Sequence, residues 1–308
     1  MFKLLAVYIS LITCAPGTPL YARYGHTALR VQAEEYHWDL VFNYGLFDFN
    51  TDRFYWKFVK GETYYMLGMN NMADFEREYR MENRPYYLQT LRMTEEQSSR
   101  LVGLLAENYR PENRQYLYNF VFDNCSTRPF ALLQRAYGDS IVSSYAGWKG
   151  RTYREVISRY TGRGSWADFG INLLFGPRAD RPMRDKDRLF LPEELMFYLS
   201  EAHLPDGTPV VADEQIQPFN IRSVPWYATW YAGAALFAVL MALLSLWDRH
   251  RGKLTYGVDI ALGIVYLLLL VLVTFLTFFS VHPLVGFGWR LLIFPMIHLC
   301  ARLVYIIR

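Results

Sequence analysis

The chain has 308 residues, a net charge of +3, three cysteines and an aromatic content of 17%, with 24 Tyr, 21 Phe and 8 Trp. So small a charge carries no argument for nucleic acid, and neither a Gly-rich phosphate loop nor zinc-ligand spacing occurs, so no nucleic-acid partner, cofactor or metal is expected. Polarity splits the sequence in two: residues 1–225 are mixed and long enough to bury a sizeable core, whereas residues 226–308 are mostly apolar.

The N-terminus supports two readings. Met1-Phe2-Lys3 followed by Leu4 to Thr13 starts like a signal peptide, and Leu11-Ile12-Thr13-Cys14 is a poor match to a lipobox. The preferred alternative makes Val7 to Thr13 the first core strand, with Ala15-Pro16-Gly17 as its turn; export then rests on a start further upstream. Arg23 to Val31 alternates, placing Tyr24, His26, Ala28 and Arg30 on one face. Trp38 to Phe49 reads as a second strand broken at Gly45, and Phe54 to Val59 with Glu62 to Gly68 as a further strand pair joined at Lys60-Gly61. Asn71 to Met81 has helical spacing. Thr94-Glu95-Glu96-Gln97 is a capping box that opens a helix running to about Tyr109. Tyr116 to Phe122 returns to strand, and Pro129 to Ala136 reads as helix. Residues 176–188 hold five Lys/Arg against three Asp, a stretch suited to anionic head groups or to solvent. Leu191 to Leu204 is a helix opened by Pro192, followed by a turn at Pro205-Asp206-Gly207. This order of elements is that of an α+β domain.

Trp226 to Trp247 carries no charge, and as a helix its 22 residues span ~33 Å, enough for a bilayer core of ~30 Å. Gly257 to Phe279 is a second such run, interrupted only by Asp259, and Trp289 to Ile307 is a weaker third. The connection Asp248 to Lys253 has three Lys/Arg, so the positive-inside rule puts it in the cytoplasm and residues 1–225 on the outer face.

Cys125 is the candidate nucleophile. An apolar run stops at Asp123-Asn124 and a helical run begins soon after, so Cys125 sits at a helix N-terminus, where backbone N–H groups and the helix dipole favour thiolate. Pro129, tolerated only in the first turn, fixes that helix start. An acidic Cys125 thiol is therefore expected, with His26 upstream as its base. Cys14 is expected to be a buried, unpaired core residue, since a bond between Cys14 and Cys125 would abolish the nucleophile.

These residues match a specific pattern. Pro16-Gly17, Tyr24-Gly25-His26-Thr27-Ala28-Leu29-Arg30, Phe42-Asn43-Tyr44-Gly45-Leu46-Phe47-Asp48-Phe49, Phe58-Val59-Lys60-Gly61, Asn113-Arg114-Gln115-Tyr116, Asp123-Asn124-Cys125-Ser126-Thr127-Arg128 and Phe279-Ser280-Val281-His282-Pro283 resemble, in this order, the Lnb-type bacterial lipoprotein N-acyltransferases. The resemblance implies a permuted papain-like periplasmic domain, with a histidine strand before a cysteine helix as in NlpC/P60 and lecithin:retinol acyltransferase (LRAT) groups. C-terminal transmembrane helices follow, with more expected beyond residue 308. It implies an inner-membrane enzyme that moves a fatty acyl chain from a phospholipid to the N-terminal amine of a lipoprotein through a cysteine thioester. Cys125 is then the nucleophile, His26 the base and Asn43 the group that orients the imidazole, with Asp48 second for that role. Tyr24 is a candidate oxyanion donor, and Arg128 a candidate for a phosphate or carboxylate; turn chemistry, core packing and a surface ion pair are the competing roles of these side chains. A membrane-anchored cysteine hydrolase (peptidase, amidase or phospholipase) would use the same Cys125 and His26.

Overall fold

The computed structural model describes residues 7–47, 52–138, 140–221, 223–288 and 291. Asp48, the Met1-Phe2-Lys3 start, Cys300 and nearly all of the third apolar run lie outside the described residues. The chain forms two compact units, Met1–Arg151 with Pro182–Asn220, and Thr152–Arg181 with Ile221–Arg308.

In chain order the strands and helices begin with β1 (Val7–Cys14), β2 (His26–Ala33), β3 (Trp38–Leu46), α1 (Phe54–Lys60), β4 (Tyr64–Asn71), α2 (Met72–Met81), β5 (Tyr86–Leu91) and α3 (Glu95–Tyr109). They continue with β6 (Gln115–Leu117), α4 (Thr127–Tyr137), β7 (Val142–Ser143), α5 (Tyr153–Thr161), α6 (Trp166–Leu174), α7 (Pro192–Ser200), β8 (Ala202–His203), β9 (Val211–Gln215), α8 (Trp230–Arg251) and α9 (Tyr256–Phe279).

The first unit is built on a seven-stranded antiparallel sheet of order β6-β4-β3-β2-β1-β5-β9, with β7 and β8 as a separate pair. The two-residue strand period sorts its core. Ile9, Leu11, Leu29, Val31, Phe42 and Tyr44 point to the side where Leu101, Leu105 of α3, Leu132, Leu133 of α4 and Leu195, Leu199 of α7 pack. Ile12, Cys14, Ala28 and Val41 point to the other side, against Met72, Phe75 and Tyr79 at α2. β1 is thus covered on both faces, the physical reason for its nearly unbroken apolar run. Each Leu or Ile fully buried in this way contributes roughly 1.5–3 kcal/mol relative to exposure. Cys14 is a free, fully buried thiol, and burial pushes it up to about 12.

Two sequence expectations give way to different local structure. Phe54 to Val59 is helical, not a strand: five of the seven α1 residues are apolar or aromatic, so no period is legible, and only Phe54 is buried. Gly61, at φ 73°, ends that helix in the left-handed conformation. The strand expected over Tyr116 to Phe122 stops at Leu117. The Asn119 side chain then accepts from the Val121 and Phe122 N–H groups at 3.1 and 3.0 Å and folds the chain into a tight turn.

In the second unit α8 begins at Trp230, after a short 3-10 turn at Trp226–Ala228, and ends at Gly252 with φ 64°. α8 and α9, of 22 and 24 residues, are long and apolar enough to cross a membrane. Between them, Asp248 accepts from the Thr255 N–H at 2.9 Å and from its hydroxyl at 2.5 Å. The buried Arg154 ties α5 to the chain after α6: it donates to Asp180 and to the carbonyls of Asn172, Phe175 and Gly176.

Candidate active site

His26 opens β2 and is paired across the ladder with Cys14 of β1, at the centre of the sheet. The residue before it, Gly25, has φ +79°, and a Cβ there would lie 2.6 Å from the Cys14 carbonyl oxygen, so this tight entry into the strand requires glycine. On β3, Asn43 faces Ala28, two residues along from the histidine. The imidazole Nε2 lies 3.2 Å from Asn43 Oδ1. An amide oxygen only accepts, so Nε2 carries the hydrogen and Nδ1 keeps its lone pair. Burial, with a smaller contribution from the Arg84 guanidinium, lowers His26 to about 4 against the opposing effect of the hydrogen bond that His26 donates to Asn43. Arg84 is itself held by the Ala15 carbonyl, 3.1 Å from both its Nε and Nη2, and by Glu82.

Cys125 lies at the bend into α4, and Asn124 makes that bend. The Asn124 side chain, 2% exposed, reaches over the cysteine and accepts from the Ser126 and Thr127 N–H groups at 2.8 and 2.9 Å. Its amide nitrogen donates to the carbonyls of Phe120 and Phe190 at 2.7 and 2.8 Å. Every polar atom of this buried amide therefore has a partner, which satisfies the cost of burying it and fixes the cysteine backbone. The cysteine segment meets the histidine strand through Thr27. The Thr27 and Ser126 hydroxyls lie 2.9 Å apart, and the Thr27 backbone N–H favours the Cys125 thiolate. Across from it, Gly45 has φ +97° at an irregularity in the β3–β4 ladder, and its absent Cβ would stand 3.7 Å from Cys125 Cβ.

The expectation of an acidic Cys125 does not hold. Burial pushes this thiol above its usual range, and the Thr27 N–H and the Ser126 hydroxyl only partly offset that. The helix-start N–H groups of Ser126 and Thr127 are taken by Asn124, so they are not available to a thiolate. Cys125 and His26 both rest in their neutral forms near pH 7.

The remaining expected site residues have defined places. Tyr24 packs edge-on to Phe120 of the cysteine loop, with ring centroids 4.6 Å apart. Arg128 directs Nε and Nη2 to the Asp123 carboxylate at 2.5 and 2.8 Å and lies over the Tyr116 ring, so its fork braces the cysteine loop. In the basic stretch, Arg188 is buried and donates to the carbonyls of Tyr145 and Ala146, so it faces protein rather than head groups. Sequence reasoning missed the supporting roles of Thr27, Ser126, Asn124 and Arg84. Nothing local to Asn124 signals its contact with Phe190; the one cue nearby is the Asn124-x-x-Thr127 spacing of an Asx-type helix start.

No curated protein and no solved structure matches the chain. Two family descriptions do: the Lnb N-terminal periplasmic domain over residues 1–159 and the Lnb transmembrane domain over residues 225–308. With more than half of its length matched in these two parts, a mixed α/β domain carrying Cys125 and His26 and a segment with two membrane-length helices, the chain belongs to the Lnb family of membrane proteins with a periplasmic domain.

Proposed function

We propose that the protein is a cysteine-dependent N-acyltransferase of the inner membrane, moving a fatty acyl chain from a phospholipid to the N-terminal amine of a lipoprotein on the periplasmic side. The observation that carries this reading is the His26 Nε2 to Asn43 Oδ1 hydrogen bond, which leaves Nδ1 as a base in a site where the residue after the histidine, Thr27, is bonded to the residue after the cysteine, Ser126. A histidine strand that precedes a cysteine helix supports a permuted papain-like arrangement of the two groups.

In the first step His26 Nδ1 takes the Cys125 proton as sulfur attacks the ester carbonyl. The carbon–oxygen bond to the glycerol then breaks, the imidazolium returns that proton to the leaving oxygen, and a lysophospholipid departs. In the second step the neutral amine attacks the thioester and passes a proton to His26; the amide forms and Cys125 leaves with the proton. The pushed-up thiol and lowered imidazole fit a mechanism in which the proton moves during attack. A lipid donor is supported by α1, where Tyr55, Trp56 and Phe58 are exposed among Lys57 and Lys60, a composition suited to a membrane interface.

Intact-mass measurement of the full chain in phospholipid micelles tests this reading. A single acyl adduct that neutral hydroxylamine removes, and that Cys125→Ala lacks, is expected. Transfer to an amine acceptor without any adduct on Cys125 would defeat it, and release of free fatty acid alone would select the hydrolase.

A further inference from the structure

Tyr116 stands in β6 with its side chain buried, and its hydroxyl has no hydrogen-bond partner among the described residues. A buried phenol ordinarily finds one, and an unmet donor of this kind costs stability. The neighbouring Tyr44, whose ring centroid is 6.2 Å away, follows the ordinary pattern: its hydroxyl accepts from Asn108 Nδ2 at 2.7 Å. The Tyr116 hydroxyl lies instead beside Gly45, as Cys125 does. It lies 4.0 Å from the point where a Gly45 Cβ would stand, and Cys125 Cβ lies 3.7 Å from that same point. Nucleophile and phenol therefore border one space, kept open by a glycine whose φ of +97° disfavours any side chain.

We propose that the Tyr116 hydroxyl is the oxyanion donor of the Cys125 site. This rests on the acyl-transfer reading, because only attack on a carbonyl creates an oxyanion. When sulfur bonds to the carbonyl carbon, the π pair moves onto oxygen, and Tyr116 donates a hydrogen bond to that charge while keeping its proton. When the carbon–oxygen bond to the leaving alcohol breaks, the carbonyl re-forms and the donor is again unmet. Such a donor is stronger for the product of attack than for the free site, the condition for lowering a barrier. Two features keep it a donor. Burial pushes the phenol well above its usual range, so it stays protonated, and the Arg128 guanidinium, centred 3.6 Å over the ring, withdraws electron density from the O–H. Tyr24 is the oxyanion candidate that the sequence offers; Tyr116 has the better claim because its hydroxyl is the one both buried and unmet.

The test compares wild type with Tyr116→Phe as full-length protein in detergent micelles, with three readouts. Single-turnover acylation of Cys125 by 4-nitrophenyl butyrate should fall about 100-fold to 1,000-fold. Alkylation of Cys125 by iodoacetamide, which passes through no oxyanion, should change less than about twofold. The melting temperature should equal or exceed that of wild type, because Phe keeps the ring and removes the unmet hydroxyl. Unchanged acylation overturns the proposal. So does a parallel fall in acylation and alkylation, which would place Tyr116 on the thiol rather than on the carbonyl oxygen, and so does a lowered melting temperature, which would make the hydroxyl structural. Failure of the ester to acylate wild-type Cys125 would instead overturn the acyl-transfer reading beneath it.

Discussion

Thr27 Oγ1 and Ser126 Oγ share a buried hydrogen bond of 2.9 Å that joins the residue after the histidine to the residue after the cysteine, 99 positions apart in the chain. Through it the sheet and the α4 start fix the His26 and Cys125 segments relative to each other. Both hydroxyls are shielded from water, so removing either leaves its partner with an uncompensated desolvation cost.

Thr27→Val and Ser126→Ala should each destabilise the protein by about 1–3 kcal/mol, and the double variant by clearly less than their sum. Denaturant unfolding of the full chain in micelles measures the cycle. Additive losses would mean that the two hydroxyls do not act through one bond.

The ionisation states make a prediction opposite to the usual one for a cysteine at a helix start. Because Cys125 is raised above its reference of 9.0 and His26 lowered to about 4, no thiolate–imidazolium pair exists at rest. Iodoacetamide should alkylate Cys125 slowly at pH 7, with a rate still climbing beyond pH 9. A plateau between pH 5 and 8 would establish a resting ion pair and refute this assignment.

Glu194, in the first turn of α7, gives the first unit a second pH dependence. Burial raises it from 4.5 to about 7, while it accepts from the Tyr145 hydroxyl at 3.1 Å and the Trp148 N–H at 3.4 Å; Glu193 also raises it and Arg188 opposes. Between pH 4.5 and 7 the folded state binds the extra proton, so its contribution falls as pH rises through that window and is lost above it, by on the order of 3 kcal/mol. His26 acts with the opposite sign: its unfolded reference is 6.5, so stability is lost as pH falls toward 4. The difference between wild type and Glu194→Gln isolates the first effect. The variant should gain relative to wild type from pH 5 to pH 8 in thermal unfolding, and a pH-independent difference would contradict the assignment.

What could be read in the sequence was what short-range chemistry determines. The Thr94 capping box is present with both of its reciprocal bonds, because its partners are three residues apart. Val7–Cys14 is a strand as preferred, since an apolar run of that length followed by a Pro-Gly turn leaves few alternatives. The two membrane-length runs are helices, with starts displaced by a few residues at most. The bond between His26 and Asn43 follows from neighbouring strands and was expected from the resemblance. What could not be read depends on distant partners: Asn124 on Phe190, Thr27 on Ser126, and the unmet Tyr116 hydroxyl on the space at Gly45. The direction of the Cys125 shift was misread for the same reason, because burial and the prior claim of Asn124 on the helix-start donors are tertiary facts. α1 was misread because three of its four aromatic residues, Tyr55, Trp56 and Phe58, face outward, against the pattern by which helices are recognised.

The central claim is tested most directly by mass spectrometry of lipoprotein N-termini in a bacterial strain without another N-acyltransferase, complemented with this chain or its variants. Wild type should yield N-acylated lipoprotein. Cys125→Ala and His26→Ala should each abolish it, and the double variant should be no worse, because nucleophile and base act as one unit. Asn43→Ala should retain a reduced level, the result expected of a group that orients the imidazole without entering the bond changes. N-acylated lipoprotein from inserted and folded Cys125→Ala would contradict the account.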